Sequence, residues 1–127
     1  MKLVHPLPPD LEIKPNRAPK TPSHGYKNFG EAFGNLNKEV RKAKVRFATL
    51  HTDVQFNASG QMIHRPAGAM NAAVLEFRWK DKKIWMCMNK YTRTADNIQE
   101  LSKVFQHWRM FMQSGVKFKK EKMMESV

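Results

Sequence analysis

The side chains with the most obvious chemical capacity in this sequence are cations, and they are bunched. Lys38, Arg41, Lys42 and Lys44 lie on one stretch with Arg46 just beyond it; Arg78, Lys80, Lys82 and Lys83 form a second group, and Lys90 and Arg93 follow. Like-signed clusters of this kind bind polyanions, because each Lys or Arg that neutralises a phosphate releases counterion. Trp85 sits within the second group, where an indole among basic residues can stack on a base or make cation–π contact. Together these residues are the candidate nucleic-acid or partner-binding set. The plain alternative is a solvated basic face, with Trp85 covered by another part of the chain.

Other chemistry is sparse. His51-Thr52-Asp53 with His64 is the one grouping of histidine and carboxylate within reach of a single hairpin. Its spacing matches no metal signature, and histidines near a turn are usually solvent-facing, so no catalytic or metal site is assigned there. His107 points off the apolar stripe of its helix. The chain has no G-x-x-x-x-G-K-[ST] loop, no G-x-G-x-x-G and no serine elbow. The expectation is a protein that is not an enzyme and needs no cofactor.

The charge of the whole chain agrees with its clusters. A formal charge of +12 over 127 residues and a pI near 10.1 favour nucleic acid first, an anionic membrane surface second and an acidic protein third. No apolar run approaches the roughly 18 residues of a membrane span, and the amino terminus lacks the apolar core of a secretion signal. Cys87 is the single cysteine. Placed in a predicted strand, it reads as a buried, inert thiol in a reducing, intracellular (cytoplasmic) setting.

The elements that position these residues follow from periodicity. Apolar side chains at 73, 75, 77 and 79 alternate with Glu76, Arg78 and Lys80, and 84–89 alternate again, which predicts two half-buried strands. A four-residue loop, Lys80-Asp81-Lys82-Lys83, would pair Trp79 with Ile84, Phe77 with Met86 and Leu75 with Met88, and would set Arg78 facing Trp85. A long helix follows, capped by Thr94. Its stripe is Ile98, Leu101, Phe105, Trp108 and Met112, widened by Val104 and Phe111 and ended by Gly115. Upstream, Asn28-Phe29-Gly30-Glu31 reads as a capping box opening a first amphipathic helix that ends near Lys44. Residues 45–50 read as a strand, and Asn57-Ala58-Ser59-Gly60 as the turn of a short hairpin. The fold class is α+β: helix, three- to four-stranded antiparallel sheet, long C-terminal helix, in two layers with both helices on one sheet face.

That domain spans 28–115. Residues 1–27 carry six of the seven prolines, a density no helix or sheet interior survives, so they read as a basic, extended arm. Its Leu3, Val4, Leu7, Leu11 and Ile13 favour an arm that lies on a partner over a plain spacer. Residues 116–127 read as a basic tail.

Three segments, Val74-Leu75-Glu76-Phe77, Met86-Cys87-Met88-Asn89-Lys90-Tyr91 and Ala95-Asp96-Asn97-Ile98-Gln99-Glu100-Leu101, with Arg109 later on the same helix, carry a family resemblance. The stretch from Phe33 to Gly115 resembles the amino-terminal region of J-domain (DnaJ-like) proteins of phages, plasmids and bacterial genomes. The resemblance implies a compact α+β module in a mobile-element setting. The chain has no His-Pro-Asp tripeptide, so a chaperone-stimulating activity is not carried over.

Two functional expectations come from different classes. One is a non-enzymatic accessory protein binding DNA, RNA or a nucleoprotein complex through phosphate contacts. The other is an adaptor or inhibitor directed at a host nucleic-acid-processing machine, its basic surface occupying an acidic groove.

Overall fold

A computed structural model describes residues 1–22 and 28–114. The element order is β1 (Lys2–Val4), α1 (Phe29–Ala43), β2 (Arg46–Thr52), β3 (Gln55–Phe56), β4 (Met62–His64), β5 (Ala73–Trp79), β6 (Lys82–Met88) and α2 (Thr94–Gln113). The main sheet has the order β1-β2-β5-β6, with β3 and β4 forming a separate two-stranded ribbon. The α+β class and the long C-terminal helix are as the periodicity predicts. The sheet is mixed, however, because β1 runs parallel to β2 while β2, β5 and β6 are antiparallel.

Both helices lie on one face of the sheet. Phe29, Ala32, Leu36 and Val40 of α1 and Ile98, Leu101 and Phe105 of α2 close one core over Leu50, Ala73, Leu75 and Phe77. Trp108 is half-buried and packs edge-on against Phe77 and Trp79, with ring centroids 5.1 and 5.5 Å away. Val104 and Phe111 are exposed instead of widening the stripe, so the buried face of α2 is narrower than its composition suggests. Asn28 caps α1 as expected, its Oδ1 accepting from the Glu31 amide at 2.8 Å. The cap of α2 differs: Arg93 holds the N-cap position but its side chain makes no capping hydrogen bond, and Thr94 is already helical.

In place of a side-chain cap, Asn97 fastens the entry to α2. Fully buried, it accepts from the amides of Lys90 and Tyr91 at 2.9 and 2.8 Å and donates to the carbonyls of Asn71 and Tyr91 at 2.8 and 3.1 Å. A second tether joins the helices. Arg109 donates through Nε and Nη2 to Glu39 Oε2 at 3.1 and 2.9 Å.

The β5–β6 turn is tighter than a four-residue loop. Trp79 pairs with Lys82, Phe77 with Ile84, Leu75 with Met86 and Ala73 with Met88. Lys80 and Asp81 alone make the turn, both at positive φ, 49° and 64°, the backbone of a type I′ hairpin whose twist matches its strands. The pairs differ from the expected ones by two residues. Since side chains alternate with period two, that shift preserves the inward face. It also changes the outward pairs, setting Glu76 opposite Trp85 and Arg78 opposite Lys83.

The amino-terminal segment is part of the domain, in contrast to the expected free arm. Residues Lys2–Val4 precede the first proline and occupy a sheet edge, where missing donors further along do no harm. Leu7 is buried in a second apolar cluster with Ala72 and Val74, against which Leu11, Ile13, Met70 and Trp85 pack. Asp53 clamps this layer, accepting from the amides of Leu7 and Met70 at 2.9 Å each. Further on, the Lys20 amide donates to the Lys90 carbonyl at 2.9 Å and the Asn16 amide group to the Asn89 carbonyl at 2.8 Å. The segment therefore covers part of the sheet face opposite the helices. The Gly115 stop and the tail 116–127 lie outside the described residues.

Candidate nucleic-acid interface

The site is built where α1 hands over to β2. Lys44 caps α1 in the left-handed region at φ 55°, its amide donating to the Arg41 carbonyl at 3.3 Å. Three residues later Phe47 is also left-handed, at φ 56°. Between Arg46 and Thr49, β2 holds one residue more than β5, a β-bulge. Its consequence is directional. Strict alternation from the inward Leu50 would turn Arg46 toward the core, whereas the extra residue brings it out opposite Arg78.

Arg46, Arg78 and Lys83 are thereby register neighbours on three adjacent strands, a row about 10 Å wide at ordinary strand spacing. Like charges directly opposite in a sheet cost stability, of order 0.2–1 kcal/mol per pair. Lys83 is offset by Glu76 Oε1, 2.9 Å from its Nζ; no ion pair offsets Arg46 or Arg78 among the described residues.

Around this row open two adjoining grooves that share Lys44 and Phe47. The first is lined by Lys2, Asn37, Arg41 and Thr49. The second is lined by Arg46, Arg78, Trp79, Lys80 and Asp81. Asp81 is the one carboxylate among the described residues of either lining. Phe47 stands between them with 76% of its surface exposed. Lys80 Nζ lies 4.5 Å from the centre of the Trp79 ring, so one wall of the second groove is an indole carrying a cation.

The structure brings together only part of the set read from sequence. Arg41, Lys44, Arg46, Arg78 and Lys80 line the grooves, joined by Lys2. Lys38 and Lys42 are exposed on α1, and Lys42 lies 3.6 Å from Glu39. Lys82 is exposed beside the turn. Lys90 and Arg93 fall past the opposite end of β6, each 3.8 Å from a carboxylate, Glu100 and Asp96. Trp85 is half-covered by the amino-terminal segment, with Lys83 Nζ 4.8 Å above its ring.

Phe47 and Lys2 were not legible as site residues. In sequence Phe47 is one more apolar residue of a strand. The available signal was the adjacency of Phe47 and Ala48, two apolar residues in succession where a half-buried strand should alternate.

The histidine and carboxylate grouping is dispersed. His51 Nε2 contacts Glu76 Oε2 at 3.0 Å, Asp53 serves as the backbone clamp, and His64 is exposed on β4. Burial alone would raise the Glu76 carboxyl, but hydrogen bonds from Lys83 and His51 and the nearby positive charge outweigh it and hold the group below its usual range. Cys87 is exposed rather than buried, since it alternates onto the outer face opposite Val74; partial desolvation pushes its thiol up, away from reactivity. Among the described residues no group of three His, Cys, Asp or Glu could hold a metal ion, and no helix is long and apolar enough to cross a membrane. No family model, curated protein or solved structure matches the chain.

Proposed function

We propose that this protein is a non-enzymatic nucleic-acid-binding accessory protein that holds the phosphate backbone at the α1–β2 junction. The observation that carries this reading is the pairing of Arg46 with Arg78 across two strands, with neither in an ion pair among the described residues. A fold selected for stability alone gains by placing an acid at one of these positions. A polyanion supplies the missing charge from outside, and Lys2, Arg41, Lys44 and Lys80 extend the positive field along both grooves. Contacts of this type read the backbone and carry little base specificity. The resemblance to the amino-terminal region of J-domain-like proteins adds a mobile-element setting to the proposal.

Salt dependence tests it. Log affinity for an oligonucleotide should fall linearly with log salt, with a slope of about 0.9 per phosphate contact on duplex and about 0.7 on a single strand. Converting Arg46 and Arg78 together to Gln should reduce the slope by roughly 1.8 or 1.4 respectively. Converting Lys90 and Arg93, which face carboxylates at the other end of the sheet, should change it less. Binding indifferent to salt and to the Arg46, Arg78 pair would overturn the reading. It would leave a protein-directed role for the basic surface as the better account.

A further inference from the structure

The structure contains an aromatic side chain that takes no part in the core. Phe47 is 76% exposed and belongs to neither apolar cluster. It sits at φ 56°, a region that bulky L-residues rarely adopt and that glycine enters freely. A residue that strains the backbone and returns no packing is a candidate for function, because such strain persists where a side chain must be presented. Its surroundings specify what it is presented to. The ring lies between two grooves walled by Arg41, Lys44, Arg46, Arg78 and Lys80, with the half-buried Trp79 on the far wall of one.

We infer that Phe47 is a stacking platform for an unpaired base and that the preferred ligand is therefore single-stranded nucleic acid. This inference rests on the phosphate-binding reading above and adds to it. In a duplex the faces of the bases are occupied by their neighbours, so a duplex can use the cations but leaves the ring idle. An unpaired strand offers both. Its phosphates meet the arginines and lysines while a base turns onto the ring, an arrangement that tolerates any sequence because every base has a π-face. Stacking is indifferent to the sugar, so DNA and RNA strands should bind alike.

The experiment compares the full chain with Phe47→Gly, Phe47→Leu and Phe47→Trp, using labelled oligothymidylate, oligouridylate and a duplex of equal length in fluorescence anisotropy. The wild type should bind both single strands within a few-fold of each other and more tightly than duplex. Phe47→Gly and Phe47→Leu should weaken single-strand binding about tenfold or more and leave duplex binding within about twofold. Phe47→Trp should retain it. The melting temperature of Phe47→Gly should not fall, since glycine accepts this backbone conformation. Leucine keeps an apolar side chain there, so a loss shared by Leu and Gly but not Trp identifies the aromatic ring as the cause.

Single-strand affinity unchanged in Phe47→Gly and Phe47→Leu overturns the platform. If the Arg46, Arg78 double substitution still flattens the salt slope in that case, phosphate binding survives without it. A wild type that binds neither single strand nor duplex at low salt overturns both.

Discussion

Glu76 shows how one side chain couples the outer sheet face to pH. Its carboxylate joins His51 at 3.0 Å and Lys83 at 2.9 Å, and its folded-state pKa lies below the unfolded value. A depressed carboxylate contributes stability above the unfolded pKa, about 4.3 for glutamate, and loses it as pH falls through the folded value. The difference in stability between wild type and Glu76→Gln, followed by urea denaturation, should hold constant above about pH 5 and shrink below it. A difference that stays flat into the acid range would mean that this network does not hold the proton off. Asn97 shows the complementary lesson. Asn97, the second residue of the Asp96-Asn97 pair, acts as a buried connector, satisfying backbone groups of Lys90, Tyr91 and Asn71; in sequence such a pair reads only as a helix opening.

At the scale of elements, the hairpin of β5 and β6 combines good twist with poor residue choice. A type I′ turn needs positive φ at both central positions, and asparagine or glycine adopts it at least cost. Lys80 and Asp81 hold it instead. Left-handed backbone costs an ordinary L-residue roughly 1–2 kcal/mol, and glycine gives back about 0.4–1 of that through the unfolded state. Asp81→Gly should therefore stabilise the domain by about 0.5–1 kcal/mol in thermal or denaturant unfolding. The same substitution removes the one carboxylate among the described residues that line the basic grooves. Affinity for an oligonucleotide should rise a few-fold at low salt, and the gain should vanish at high salt, where exposed charges are screened. A stabilised variant with unchanged low-salt affinity would place the ligand away from the turn.

At the scale of the whole molecule, the sheet is covered on both faces by different means. Two helices close one side and the proline-rich segment closes part of the other. Removing residues 1–13 deletes β1, withdraws Leu7 from its cluster and leaves Asp53 with one of its two amide partners. Burying one Leu is itself worth about 1.5–3 kcal/mol. The truncated protein should lose at least about 3 kcal/mol and melt more than about 10 °C lower. A melting transition unmoved by this truncation would show that the segment lies on the domain without supporting it.

What the sequence determined by itself was local. Alternation at 73–79 and 84–88, the capping box at Asn28 and the stripe through Ile98, Leu101 and Phe105 each encode an element and its buried face, because a period of 2 or 3.6 is a property of neighbouring residues. The abundance of cations was equally plain. Which of them share a surface was not, since that depends on strand order, on the register that places Arg46 beside Arg78, and on one bulge that turns Arg46 outward. The role of residues 1–20 was hidden for the same reason: prolines forbid a sheet interior, but they say nothing about an edge strand or a cover over apolar side chains contributed by residues 72–85. Tertiary structure alone decided these points, because the energy that settles them comes from contacts between residues far apart in the chain, which no local pattern records.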